Sequence, residues 1–142
     1  MGYYTEFNPD AHLRITPPLK PRDLAALEKF IWHTYHGDES LWGSFTWMVS
    51  RTRLVPWPDH GKYYGWKEWI RYLIRVWFEP NGYKINGRVW FLGDVDTDAG
   101  YFCVDDNVVT IDPMSSKEIR NDFLYQIRVR QRGEKPQYVN SR

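Results

Sequence analysis

Three stretches of the sequence carry side chains of the kinds that perform catalysis or hold ligands. The first, WPDHGKYY, spans residues 57–64 and combines a carboxylate, an imidazole, an ammonium group and aromatic rings. Histidine titrates near neutral pH, so an Asp-His pair beside a lysine has the groups that acid-base catalysis uses. Adjacent residues seldom face one another, however, and we interpret the stretch as a ligand-binding loop. Its candidate binding residues are Trp57, Asp59, His60, Lys62 and Tyr64.

The second stretch, DVDTDAGYFCVD, resembles a calcium-binding loop in part. Asp94, Asp96, Asp98 and Asp105 occupy positions 1, 3, 5 and 12 of such a loop, and calcium prefers several carboxylate oxygens. However, position 6 is Ala99 instead of glycine, position 12 is not glutamate, and the flanks have the pattern of strands. We therefore favour an acidic turn between two strands, and we predict no metal and no other cofactor.

The third stretch is the C-terminal tail, the one region with a clear charge asymmetry. From Lys117 to Arg142 it has seven basic and three acidic residues. Arginines contact phosphates and a tyrosine stacks on bases, so a single-stranded nucleic acid fits this composition. A helix that docks on another protein fits it equally, because tyrosine and arginine anchor protein interfaces. The candidate contact residues are Arg120, Tyr125, Arg128, Arg130 and Arg132.

Composition excludes several classes of protein. The 142 residues predict one domain with a real core, and the net charge of +1 gives no whole-protein argument for nucleic acid or an anionic membrane. A single cysteine rules out an intrachain disulfide, and no apolar run approaches the roughly 18 residues of a membrane span. Motifs for a nucleophilic serine, a Walker loop or a dinucleotide site are absent from the sequence. We expect a cytoplasmic protein without enzymatic activity.

Residue patterns predict the order βαββαβββ, followed by a C-terminal helix. Alternating segments rich in β-formers predict strands, and Pro21 begins the first helix. The fold class is therefore α+β, with a mostly antiparallel sheet of about five or six strands and two main helices on one face. Residues 1–112 form this α+β region. Residues 113–142 form an amphipathic helix and a frayed basic tail, within the same domain or as an appendage.

The second helix is unusually rich in tryptophan. Its apolar residues recur at helical spacing and make one continuous stripe, which predicts a buried face. Tyr72, Val76 and Phe78 fall outside this stripe or at its edge, which leaves room for an exposed aromatic patch. The stripe consists of Trp66, Trp69, Ile70, Leu73, Ile74 and Trp77.

Four segments together resemble a family of small uncharacterised proteins of bacteria and their phages. They are MGYYTEF, PPLKP, WPDHGKYYGWKEWIRYLI and FEPNGYKINGRVWFLGDVDTDAGYFCVDDNVV. The family pattern has M-G-Y-x-T-x-F at the start, W-D-G-x-E-K-F before an aromatic EW helix, and then an NG strand, an acidic turn and a DNVV strand. The resemblance covers residues 1–111 and weakens in the loop, where Pro58 and His60 stand and the family's glutamate is missing. It implies a shared fold and a phage or bacterial origin, but it brings no activity.

We predict a non-enzymatic binding protein, an accessory protein of a phage or bacterium that acts in the cytoplasm. Its expected partner is another protein, such as a host or defence factor, held by an aromatic surface and the basic C-terminal helix. The alternative is a protein that binds a small ligand, a nucleotide or a nucleic acid through residues 57–64 and the tail. An enzyme is the third possibility. No membrane partner is expected, and the sequence leaves the oligomeric state open.

Overall fold

The structure, a computed structural model, describes residues 4–37, 45–57, 63 and 65–131, with side chains for 4–34, 45–57, 63 and 65–124. Within these residues the chain forms seven strands and three α-helices, in the order ββαββαβββα. The strands are β1 Thr5–Phe7, β2 Leu13–Thr16, β3 Trp47–Val49, β4 Arg53–Pro56, β5 Lys84–Gly93, β6 Ala99–Asp105 and β7 Val108–Pro113. The helices are α1 Pro21–Gly37, α2 Trp66–Leu73 and α3 Ser116–Gln131.

All the strand pairs in the sheet are antiparallel. The order is β3-β4-β2-β5-β6-β7, and β1 pairs with β5 beside this path. The predicted α+β fold with an antiparallel sheet is confirmed. The sheet has seven strands, because the chain around Asn8 and Pro9 divides the N-terminal segment into β1 and β2.

Strand β5 is the centre of the sheet. One of its edges pairs with β6, and its other edge pairs with β2 through residues 84–86 and with β1 through residues 91–93. Successive residues of a strand point to opposite faces. Val89 and Phe91 therefore belong to the larger apolar cluster and Trp90 to a smaller cluster on the other face.

The larger cluster lies under α1 and α2, and we call this side of the sheet the α2 face. Trp69 is completely buried, as are Ile70 and Leu73, so the stripe predicted for the second helix is confirmed as core. From α1, Leu27 is buried in the same cluster. The ring of Phe30 on α1 stacks on Tyr72 of α2 at 6.2 Å, which joins the two helices.

A π-helical turn, Ile74–Phe78, continues α2 and changes which residues are buried. The backbone N–H of Glu79 donates to the carbonyl of Ile74, five residues earlier, with 2.9 Å between nitrogen and oxygen. The wider turn rotates the residues that follow, so Trp77 and Phe78 are both buried. The expectation that Phe78 lies at an exposed aromatic patch is wrong, because that expectation assumed regular α-helical spacing.

Helix α3 packs on the opposite side of the sheet, which we call the α3 face. Its Ile119 is completely buried against Trp90 and Tyr101, and the buried carboxylate of Asp122 accepts a hydrogen bond from the Tyr101 hydroxyl. The hydroxyl of Ser115 accepts a hydrogen bond from the backbone N–H of Glu118 at 3.2 Å, so Ser115 caps the N-terminus of α3. The first turns of α3 are therefore part of the core.

Candidate functional site

Strand β1 has one edge that no strand within the described residues covers. Among the described residues, β1 pairs with β5 alone, with Glu6 opposite Leu92. The N–H of Gly93 donates to the carbonyl of Asp98 on the β6 side, so Leu92 directs its own N–H and C=O toward β1. Glu6 therefore makes the main-chain bonds to β5. The N–H and C=O groups of Thr5 and Phe7, one residue to each side, point away from β5.

A cavity of about 940 Å³ lies along this open edge. Residues from both faces of the sheet line this cavity. Such a lining is expected of a space beside the edge of a sheet, whereas a space above one face would be lined from that face alone. Alternation along β3 and β4 puts Pro56 on the α2 face with Tyr63, and puts Met48 and Val55 on the α3 face with Arg120. We call this space the edge groove.

The loop after β1 explains why the edge stays open. Pro9 cannot donate a main-chain hydrogen bond, so the strand ends at this point. The N–H of Ala11 donates to the carbonyl of Asn8 at 2.9 Å, which closes a turn between β1 and β2. Strand β4 then pairs with β2 through Leu13 and Leu54 and does not extend alongside β1. The groove is the gap between β1 and the β3-β4 hairpin.

Tyr63 forms the wall of the groove on the α2 face. Its hydroxyl donates to the main-chain carbonyl of Trp57 at 2.6 Å, and its ring meets the edge of Phe7 at 4.9 Å between centroids. Burial raises the pKa of Tyr63, so its hydroxyl keeps its proton well beyond neutral pH. Trp57 is half exposed beside this wall. The hydrogen bond to Tyr63 is made by its backbone.

Among the described residues that line the groove, acidic side chains outnumber basic ones. Glu6 and Arg120 form an ion pair at 3.7 Å, but both side chains are more than half exposed, so the pair is loose. At the Thr5 end of the groove, the carboxylate of Asp94 accepts a hydrogen bond from the backbone N–H of Tyr4 at 2.8 Å. Asp96 lines the groove as well. Among the groove residues that the structure describes, three carboxylates against one guanidinium favour a ligand with positive charge.

An apolar pocket of about 240 Å³ adjoins the groove on the α3 face. Trp90 and Phe123 meet edge to face across it, with 5.6 Å between ring centroids. Glu6 and Arg120 line both the pocket and the groove, so the two spaces are neighbours. Leu124, half exposed at the pocket, leaves apolar surface open to solvent.

The structure places two of the predicted binding residues near this site. Arg120 lines the groove, and Trp57 follows the groove residue Pro56. The other predicted contacts lie outside what the structure describes. They are Asp59, His60, Lys62, Tyr64 and Arg132, and the side chains of Tyr125, Arg128 and Arg130 on α3.

The four carboxylates of the calcium-loop pattern do not converge. Asp94, Asp96 and Asp98 lie in or beside the turn between β5 and β6, whereas Asp105 ends β6 at its far end, roughly 20 Å away at the rise of an extended strand. The carboxylate of Asp98 accepts a hydrogen bond from the ammonium group of Lys67, with 3.0 Å between oxygen and nitrogen. Among the residues that the structure describes, no group of three or more His, Cys, Asp or Glu side chains could hold a metal ion.

No protein-family model matches the sequence, no curated protein matches it, and no solved structure matches this chain. The resemblance to small phage and bacterial proteins therefore stays a prediction. In the described part of the chain, no helix is both long and apolar enough to cross a membrane.

Sequence reasoning missed Thr5, Phe7 and Asn8 as candidate site residues. None of them has a side chain that suggests catalysis or metal binding, because the groups that matter at positions 5 and 7 belong to the backbone. The available indication was Asn8-Pro9 directly after a short alternating segment. Proline marks the end of a strand, because it cannot donate to the next ladder bond, but it does not show which edge stays open.

Proposed function

We propose that this protein is a non-enzymatic binding module that takes an extended segment of a partner protein onto the open edge of β1. One observation supports this most directly: Thr5 and Phe7 direct their N–H and C=O groups into a cavity instead of toward another strand. An added strand forms hydrogen bonds with such groups and so extends the sheet, which is a recurring mode of peptide recognition.

The shape of the edge groove supports a strand more than a compact ligand. A strand alternates its side chains between the two faces of a sheet. The groove offers contacts on both, with Tyr63 and Pro56 on the α2 face and Met48 and Val55 on the α3 face. The charge of its described residues also disfavours nucleic acid, because phosphates would approach more carboxylates than basic groups there.

The energetics point to a partner that also uses side-chain contacts. Four backbone groups give hydrogen bonds of about 0.5–1.5 kcal/mol each. Association alone costs about 4–15 kcal/mol in lost freedom. Burial of apolar side chains against Tyr63, Pro56 and Val55 must contribute the difference, at about 25 cal/mol per Å². We therefore expect specific binding of modest affinity.

A matched pair of variants at Thr5 tests the proposal. Thr5→Pro removes one outward N–H and places a ring at the open edge, while the β1–β5 hydrogen bonds, which belong to Glu6, remain. Thr5→Val has nearly the shape of threonine and keeps the N–H. Peptides selected by the wild-type protein from a random displayed library should bind the valine variant normally and lose at least about tenfold in affinity for the proline variant, which is roughly 1.4 kcal/mol.

Amide hydrogen exchange gives a second readout at single residues. The N–H groups of Thr5 and Phe7 should exchange fast in the free protein and slow down when a selected peptide binds. The N–H of Glu6 is bonded to β5 and should be slow in both states. Peptides that bind a folded Thr5→Pro variant as tightly as the wild type would exclude the β1 edge as the binding site. An accessory role in a phage or bacterium remains a prediction from the resemblance.

A further inference from the structure

We infer that the edge groove selects a partner strand with lysine or arginine opposite Glu6 and uncharged residues at the two flanking positions. This inference rests on the proposed function and names the chemistry of the partner. It follows from three features of the edge: the face on which each β1 side chain lies, the charges around Glu6, and the effect of Glu6 on pairing between two copies of the chain.

The alternation of side chains sets the pattern of the partner. Residues directly opposite one another in paired strands share a face of the sheet. Phe7 packs in the cluster of the α2 face, whereas Glu6 lies on the α3 face beside Arg120. Partner residues opposite Thr5 and Phe7 therefore meet Tyr63 and Pro56, the uncharged residues that the structure describes on this wall. The residue between them emerges on the α3 face next to Glu6.

The surroundings of Glu6 suit a long basic side chain. Met48 and Val55 line the groove on the same face and can cover the methylene stem of lysine or arginine. The Glu6 carboxylate is more than half exposed, and its contact with Arg120 is an ion pair at 3.7 Å, which is too long for a hydrogen bond. Both carboxylate oxygens can therefore accept hydrogen bonds from a partner side chain. Asp96, near the Thr5 end, adds negative charge.

The same residue disfavours a second copy of this chain as the occupant. Glu6 is the middle residue of the three-residue strand β1. Antiparallel pairing of two β1 strands about their centre would put Glu6 opposite Glu6, and like charges directly opposite one another are destabilising. A charged side chain on an edge strand is a common means of preventing self-association. The edge therefore favours a basic foreign strand over its own copy.

Three synthetic peptides test the inference. Each has an alternating Thr-Val-Xaa-Val-Thr centre with blocked ends, in which Xaa is lysine, glutamine or glutamate. Affinities are measured by following the amide signals of Thr5 and Phe7 in titrations of the wild-type protein. The lysine peptide should bind at least about fivefold more tightly than the glutamate peptide, with the glutamine peptide between them, because cross-strand charge pairs act in this range. Added salt should reduce the difference.

Two variants separate charge recognition from a general effect on the fold. Glu6→Gln keeps the size of the side chain and should remove most of the preference, and Glu6→Lys should reverse it toward the glutamate peptide. Equal affinities for the three peptides in the wild type, or an unchanged preference in Glu6→Lys, would overturn the inference. The proposed function would still stand if Thr5→Pro weakened binding of the peptides at least about tenfold. No change at Thr5 or Phe7 with any peptide would overturn both.

Discussion

The side-chain oxygen of Asn8 accepts a hydrogen bond from the backbone N–H of Trp90, with 3.0 Å between the two atoms. Continuing the register of β1 on β5 puts position 8 opposite Trp90, so the side chain takes the place of a main-chain acceptor as the chain turns away. The amide nitrogen of Asn8 also donates to the carboxylate of Asp10 at 2.9 Å. One side chain thus ends β1 and starts the loop that keeps its outer edge open.

Asn8→Ala should lower the free energy of unfolding by about 1–2 kcal/mol, because it leaves the partly buried N–H of Trp90 without its acceptor. Urea denaturation measures the change. Asp10→Ala is the matched control, since it removes only the exposed bond between Asn8 and Asp10 and should cost less than about 0.5 kcal/mol. An equal loss in both variants would show that the loop, and not the Asn8–Trp90 bond, fixes the end of β1.

Trp69→Ala should destabilise the protein by about 3–5 kcal/mol, the range for large aromatic truncations in a core. Trp69 is completely buried, and its ring lies 5.5 Å from that of Phe45. Trp57→Ala is the control, because the Trp57 side chain is half exposed and should change stability by about 0.5 kcal/mol or less. Denaturation by guanidinium chloride compares the two. A loss under about 1 kcal/mol for Trp69→Ala would place this side of α2 at the surface.

Gly100→Ala should destabilise the sheet by more than about 2 kcal/mol, since strained backbone alone costs about 1–3 kcal/mol and a steric clash adds to it. Gly100 has φ +154°, and a Cβ there would lie 2.2 Å from the carbonyl oxygen of Asp112 on β7. Thermal unfolding measures the effect.

Gly82→Ala provides the comparison for Gly100→Ala. Gly82 also has a positive φ, +84°, but no atom lies within 4 Å of an added Cβ. Its substitution should therefore show the conformational cost alone, about 1–2 kcal/mol. If Gly82→Ala were the more damaging of the two, the close approach of β6 and β7 at Gly100 would not be a constraint on the fold.

Tyr83 should make stability depend on alkaline pH. Its hydroxyl donates to Asp23 at 2.5 Å, and this hydrogen bond, together with burial, raises the pKa of Tyr83 above its ordinary value of 10.0. A raised pKa in the folded state means that folded protein holds the proton more tightly than unfolded chain does. The stabilisation is therefore fully present below pH 10 and is lost as the pH rises above it.

Urea denaturation between about pH 8 and pH 11, on either side of the ordinary tyrosine pKa, tests this dependence in wild type and Tyr83→Phe. The wild type should be the more stable protein at the lower pH, and its advantage should shrink at the higher pH. Tyr63 is present in both proteins, so its own raised pKa cancels in the comparison. A constant difference across this range would mean that Tyr83 is not held as the protonated donor to Asp23.

Local patterns in the sequence determined those elements of the fold that depend on residues close together along the chain. The spacing of Trp66, Trp69 and Leu73 depends only on helical periodicity, and all three are buried as predicted. The turn between β6 and β7 follows from Asp106 and Asn107, which have positive φ angles of 44° and 73°. Such residues adopt this conformation more readily than most, so their types alone favour a tight hairpin.

The prediction from helical spacing failed where a wider turn of the second helix altered the spacing of its buried residues. The π-helical turn at residues 74–78 shifts Phe78 from the expected edge of the stripe to complete burial. No residue type marks such a turn in advance, and its effect is that Trp77 and Phe78 are both buried beneath the helix. Packing in three dimensions therefore decided this part of the core.

The candidate site was decided by tertiary structure alone. Segments 3–7 and 12–16 look alike in the sequence, since both alternate and both are rich in β-formers. In the folded protein, β4 pairs with β2 and so covers the edge of segment 12–16. Segment 3–7 has no such neighbour among the described strands, so Thr5 and Phe7 face a groove. Hydrogen bonding between strands joins residues far apart along the chain, so no local pattern reveals which edge remains open. The chemistry of that edge belongs to the backbone, which is the same for nearly every residue type.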